Sequence, residues 1–96
     1  MSCTMVRAFV LYEGDVDPDR YAQHVELCRR VPADAFRHGR VFGSPAGAPK
    51  HRYYAEFEWA DMDGFKAAAR DPAFAETAQD AEAMGVPFSV EFAELD

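Results

Sequence analysis

The sequence predicts one small α+β domain built on a four-stranded antiparallel sheet. Three observations carry that expectation. The chain has 96 residues, room for one domain and one hydrophobic core. Some stretches alternate apolar and polar residues at the period of a strand, and others begin with an Asp able to cap a helix. Apolar residues make up 49% and aromatic residues 14%, too much of both for a disordered polymer.

Residues 4 to 12, TMVRAFVLY, have the β-branched and aromatic content of a strand, which Glu13-Gly14-Asp15 ends. Asp17-Pro18 then supplies an N-cap acceptor and a proline at the first helical position. The helix expected there runs to about Val31, where Pro32 stops it. Its apolar stripe is Tyr21, Val25 and Cys28, with His24, Leu27 and Val31 alongside. Residues 36 to 43, FRHGRVFG, read as a second strand, and a turn-rich loop follows through Pro49.

Residues 51 to 59, HRYYAEFEW, alternate cleanly: Tyr53, Ala55, Phe57 and Trp59 on one side, Arg52, Tyr54, Glu56 and Glu58 on the other. Asp61 can cap a second helix, with Met62, Phe65 and Ala69 on its apolar side. Asp71-Pro72 interrupts that helix and restarts it with Phe74, Ala78 and Ala81, until Gly85 and Pro87 end it. In the last strand, residues 88 to 94, Phe88, Val90 and Phe92 oppose Ser89, Glu91 and Ala93. The order is β-α-β-β-α-β with a broken second helix, the ferredoxin-like arrangement.

Composition excludes several functions. Seventeen acids against ten bases leave a net charge of −7, which disfavours nucleic acid or an anionic membrane as partner. Cys3 and Cys28 form neither a disulfide framework nor a CxxC pair. The first residues lack a basic segment followed by an apolar one, and no apolar run approaches the roughly 20 residues that span a bilayer. A reduced, cytoplasmic protein is expected. Gly43-x-x-x-Gly47 lacks the Lys-Ser/Thr of a phosphate loop, so no nucleotide and no other cofactor is expected.

Among candidate chemical groups, His24 stands beside the stripe that faces the sheet. Burial there keeps an imidazole neutral and suited to accepting a proton, although a histidine bonded to a backbone carbonyl has the same spacing. His38 and His51 fall roughly 13 Å apart along paired strands, whereas ligands of one zinc lie about 2 Å from the metal, so no metal site is expected. Most of the aromatic residues belong to the core. Arg7 should lie near Glu56, Glu58 and Glu91 in an ion-pair network on the face turned away from the helices.

Tyr21-Ala-Gln-His24-Val-Glu-Leu27 is similar to the Tyr-x-x-His-x-Pro-Leu signature of EthD-like proteins, with Glu26 in place of the proline. Further matches follow in order: Val10-Leu11-Tyr12, Gly43-Ser44-Pro45 with Gly47, Ala55 to Trp59, Phe65 with Ala67-Ala68, and Asp80. The resemblance implies a dimeric α+β barrel. In that fold two protomers pack sheet to sheet, and each holds a pocket between its own sheet and helices. The superfamily includes cofactor-free monooxygenases, decarboxylases, lactone isomerases and haem enzymes.

The expectation is therefore a homodimeric enzyme acting on a hydrophobic, aromatic or polyketide-like small molecule or a xenobiotic. Its step would be cofactor-free proton transfer or oxygenation. The alternative is an accessory protein that sequesters such a molecule. His24 is the candidate catalytic residue, with one ring nitrogen expected free. Tyr12, Tyr21, Phe36, Phe57 and Trp59 are the candidate lining of its pocket.

Overall fold

The structure is a computed structural model that describes residues 4–95; Cys3 lies outside them. Seven elements follow one another: β1 (Met5–Tyr12), α1 (Pro18–Cys28), β2 (Ala35–Arg40), β3 (Tyr53–Trp59), α2 (Met62–Ala69), α3 (Pro72–Ala83) and β4 (Phe88–Leu95). The strands form one antiparallel sheet in the order β2-β3-β1-β4. This is the ferredoxin-like βαββααβ fold.

The three helix starts are those the Asp residues specify. The carboxylates of Asp17, Asp61 and Asp71 accept from the backbone N–H groups of Arg20, Gly64 and Ala73. Each occupies an N–H that the first helical turn leaves unpaired. The first helix ends earlier than expected, at Cys28, because its last turn tightens. Arg30 and Val31 donate to the carbonyls three residues back, Leu27 and Cys28, before Pro32 removes the next donor. The second strand is shorter than residues 36 to 43, ending at Arg40 with one further bond from Val41 N–H to the Arg52 carbonyl.

Alternation on β1 and β3 divides the sheet into two faces. Val6, Ala8, Val10 and Tyr12, with Ala55, Phe57 and Trp59, lie buried beneath the helices. Met62, Phe65, Phe74 and Ala81 of the two later helices pack on the core as expected, and the stripe departs from expectation at two alanines. Ala68 is buried and Ala69 exposed in α2, and Thr77 is buried while Ala78 is exposed in α3. Thr77 is tolerated there because its hydroxyl donates back to the Ala73 carbonyl at 2.8 Å.

Among the described residues no element covers the opposite face. Arg7 Nε lies 3.2 Å from Glu56 and its Nη2 2.6 Å from Glu58, while Arg37 stands 3.8 and 3.6 Å from the same two acids. Phe9, Leu11 and Tyr54 share this face, half-buried. The ion-pair network read from the sequence is present, though Glu91 is not among its pairs.

Candidate functional site

The site grows from two buried positions. Tyr12 is the last residue of β1 and, by alternation, turns toward the helices, where it is 1% exposed. On α1, Tyr21, His24, Val25 and Cys28 share the buried side, and His24 is likewise 1% exposed. The Tyr12 hydroxyl stands 2.6 Å from His24 Nε2.

The other ring nitrogen, Nδ1, lies 2.8 Å from Asp80, 56 residues away on α3. Asp80 in turn receives two bonds from Arg20 of α1, at 3.0 and 2.8 Å. Arg20, Asp80, His24 and Tyr12 thus form one hydrogen-bonded file from the helix surface to the sheet. Both ring nitrogens are engaged, so the expected free nitrogen is absent. Packing of α1 on α3 brings Asp80 within reach of Nδ1, and β1 brings Tyr12 to Nε2.

Electrostatics set the protonation states along the file. The Arg20 guanidinium, opposed by some burial and helped by His24, holds the Asp80 carboxyl below its usual range. Burial lowers the His24 pKa below that of a free imidazole, and the Asp80 contact only partly offsets this. The imidazole is therefore neutral, with Nδ1–H donated to the carboxylate. Burial also pushes the Tyr12 phenol far up and the Tyr21 phenol to about 12, so both keep their protons.

Beside the file lies a cavity of about 50 Å³. Ala8, Val10 and Tyr12 of β1, Phe57 of β3 and Phe88 and Val90 of β4 form its floor; His24 and Cys28 of α1 and Phe74, Thr77, Ala78 and Ala81 of α3 form its walls. Val90 is 42% exposed, so the lining reaches the surface at β4. Among the lining side chains, polar atoms come only from Tyr12, His24, Cys28 and Thr77. The Cys28 sulfur is 3.6 Å from His24 Nε2, and burial pushes its thiol up to about 12. Among the described residues no cluster of three His, Cys, Asp or Glu side chains is placed to hold a metal.

Of the residues singled out from sequence, His24, Tyr12 and Phe57 meet at this cavity. Tyr21, Phe36 and Trp59 are absent from its lining. Tyr21 stacks on Tyr53 with ring centres 4.5 Å apart, and Phe36 packs against Phe57 at 5.0 Å. Trp59 donates its indole N–H to the Pro32 carbonyl at 2.7 Å, beside a separate open groove. Arg20, Thr77, Phe74, Phe88 and Val90 were not singled out as site residues, and neither was Asp80, although the family resemblance included it. For Arg20 and Asp80 the signal lies in an acid and a base on two helices that cover the same sheet face.

Neither a protein-family model nor a curated protein matches the sequence. Solved structures do match the fold. An EthD-family protein from Bacillus halodurans is 24% identical, covering 96% of this chain and 99% of its own, with a TM-score of 0.80. A dimeric ferredoxin-like protein of unknown function from Jannaschia is 16% identical over 95% of this chain and 99% of its own, with a TM-score of 0.77. A hydroxynitrile lyase from Passiflora edulis is 16% identical over 96% of this chain and 94% of its own, with a TM-score of 0.76. The chain thus has the fold shared by EthD-family and dimeric ferredoxin-like proteins along nearly its whole length. Fold alone carries no reaction with it.

Proposed function

We propose that this chain is a small-molecule enzyme of the dimeric α+β barrel type that moves a proton on a hydrophobic substrate without a cofactor. The observation that carries the reading is the file from Arg20 to Tyr12 ending at an apolar cavity. His24 is the base, but it acts through Tyr12. As a substrate proton passes to the Tyr12 oxygen, the phenolic proton passes to Nε2, and Asp80 stabilises the imidazolium that forms. Burial disfavours that cation, so the proton is returned readily to product. Asp80, partly exposed, gives the file an outlet to solvent.

The substrate is aromatic or polyketide-like, or a xenobiotic of that shape. Deprotonation of a phenol O–H on an electron-rich ring also opens the way to oxygenation, in which dioxygen leaves one oxygen on the ring as a quinone carbonyl and the other as water, with all the electrons supplied by the substrate. At about 50 Å³ the cavity holds only part of such a molecule. Ligand pockets run to about 300–1,000 Å³, so the remainder lies at the mouth, against Phe74, Phe88 and Val90. The protein works as a homodimer through its uncovered sheet face, which carries Phe9, Leu11 and Tyr54; the description of structural neighbours as dimeric supports this.

A second reading, a binding protein without turnover, is favoured by one observation: both His24 nitrogens already have protein partners. Native mass spectrometry of the protein from cells identifies any small molecule that co-purifies. His24→Ala is expected to lose that molecule, or its conversion, while the dimer stays folded. A variant that melts markedly lower and still carries the molecule would make His24 structural. Retention of the molecule unchanged by the wild-type protein would favour the binder.

A further inference from the structure

We propose that the cavity takes its ligand by a hydrogen-bond donor, the O–H of a phenol or alcohol, and rejects the ether, ketone or hydrocarbon of the same shape. This narrows the ligand-site reading above and rests on it.

The argument is the direction of the hydrogen bonds. Arg20 donates to Asp80 through Nη1 and Nη2, at 3.0 and 2.8 Å. An ionised carboxylate only accepts, so the bond between Asp80 and His24 is donated by Nδ1–H. A neutral imidazole has one N–H. Nε2 is therefore an acceptor, and the contact at 2.6 Å must be donated by the Tyr12 hydroxyl. With its proton turned toward His24, the Tyr12 oxygen presents lone pairs alone to the cavity.

No other strong donor replaces it. The Thr77 hydroxyl proton is held by the carbonyls of Ala73 and Phe74, at 2.8 and 2.9 Å. Cys28 brings only a thiol, a weak donor, and its sulfur stands 3.6 Å from Nε2. A ligand carbonyl at this end would give up its water and meet oxygen lone pairs, a loss without return. A ligand hydroxyl would extend the file by one bond, from ligand O–H to Tyr12 to His24 to Asp80.

Phenol, fluorobenzene and anisole test this, because they share a ring and differ in the group offered. Titration of the native protein, followed by calorimetry and by the NMR shifts of residues lining the cavity, gives the three affinities. Phenol is expected to bind at least tenfold tighter than either of the others. Tyr12→Phe, checked for its fold by its melting curve, should reduce that preference below about threefold. The wild-type series decides the matter even where that variant fails to fold. Saturable binding of all three without preference, or a preference for anisole, overturns the donor inference and leaves the ligand site standing. The absence of saturable binding by any of them overturns the ligand site as well.

Discussion

On the helix-covered face of the sheet, polar side chains run in single file, each bonded to the next from Arg20 to Tyr12. On the open face they form a lattice, in which Arg7 and Arg37 each approach both Glu56 and Glu58, and the Tyr54 hydroxyl donates to Glu56. The file keeps its charges at the partly exposed end and is neutral where it is deeply buried. The lattice sets two guanidinium groups against two acids, with the side chains of Arg7 28% and Arg37 51% exposed and that of Glu56 8%. Deep burial expels charge but tolerates a directed chain of neutral groups. A face that water or a partner can reach holds charge in pairs. One arrangement suits a ligand; the other suits registration against a second surface.

The lattice can be broken first, with the largest effect. Arg7→Glu would place three carboxylates together where one guanidinium now lies between two. Like charges in contact at an interface cost several kcal/mol, so dimer affinity should fall by about 100-fold or more. Light scattering should give twice the 10.7 kDa of one chain for the native protein and a single chain for the variant. The cavity, on the other face, should keep its affinity for phenol. A native protein that scatters as one chain at micromolar concentration removes the dimer, and an Arg7→Glu protein that stays paired places the interface elsewhere.

The two faces were not equally legible in the sequence. Period-two alternation in residues 51 to 59 separates Phe57 and Trp59 from Glu56 and Glu58, so the lattice and its place beside Arg7 follow from strand order. Asp17, Asp61 and Asp71 likewise mark their helices by a local hydrogen bond. The site depends on helix phase and on where packing leaves a gap. Thr77, a polar residue outside the apolar stripe of α3, is a buried wall of the cavity beside Ala78 and Ala81. His24 and Tyr12 each follow from the pattern of their own element. Their joining to Asp80 requires α1 and α3 to lie side by side, which no local pattern encodes. Tyr21, Phe36 and Trp59 are aromatic like pocket residues but pack on Tyr53, on Phe57 and against the Pro32 carbonyl instead.

The file can be sharpened by pH. Tyr12 and Asp80 face His24 from β1 and α3, and Arg20, Tyr21 and Cys28 flank it on α1. Its folded-state pKa lies below the ordinary 6.5, chiefly through burial. The unfolded chain therefore takes up the proton first as pH falls. Stability due to neutral His24 is complete above 6.5 and is lost from there down through the lower folded-state value. Asp80 contributes similarly only further down, below its ordinary 3.8. The melting temperature should drop by several degrees between about pH 7 and pH 5, on a scale of about 4–8 °C per kcal/mol for a domain of this size. A His24→Gln protein should lose most of that slope. An equal slope in both would place the titrating group outside the file.

The smallest effect should come from Cys28, and it separates the two donors that converge on Nε2. That nitrogen has one lone pair. The Tyr12 oxygen approaches it at 2.6 Å and the Cys28 sulfur at 3.6 Å, and an O–H is the stronger donor. The thiol therefore fills volume beside a bond that it does not make, and its raised pKa leaves it protonated and slow toward labelling reagents in the native state. Cys28→Ala should lower stability by about 1 kcal/mol for the lost packing. It should leave phenol affinity within about twofold, since the Tyr12–His24 bond is untouched and the direction of the file is preserved. Calorimetry of this variant with phenol and anisole makes the contrast with Tyr12→Phe direct. If the native protein prefers anisole and Cys28→Ala turns that into a preference for phenol, the thiol holds Nε2, the Tyr12 O–H points into the cavity, and the polarity argued for the site is reversed.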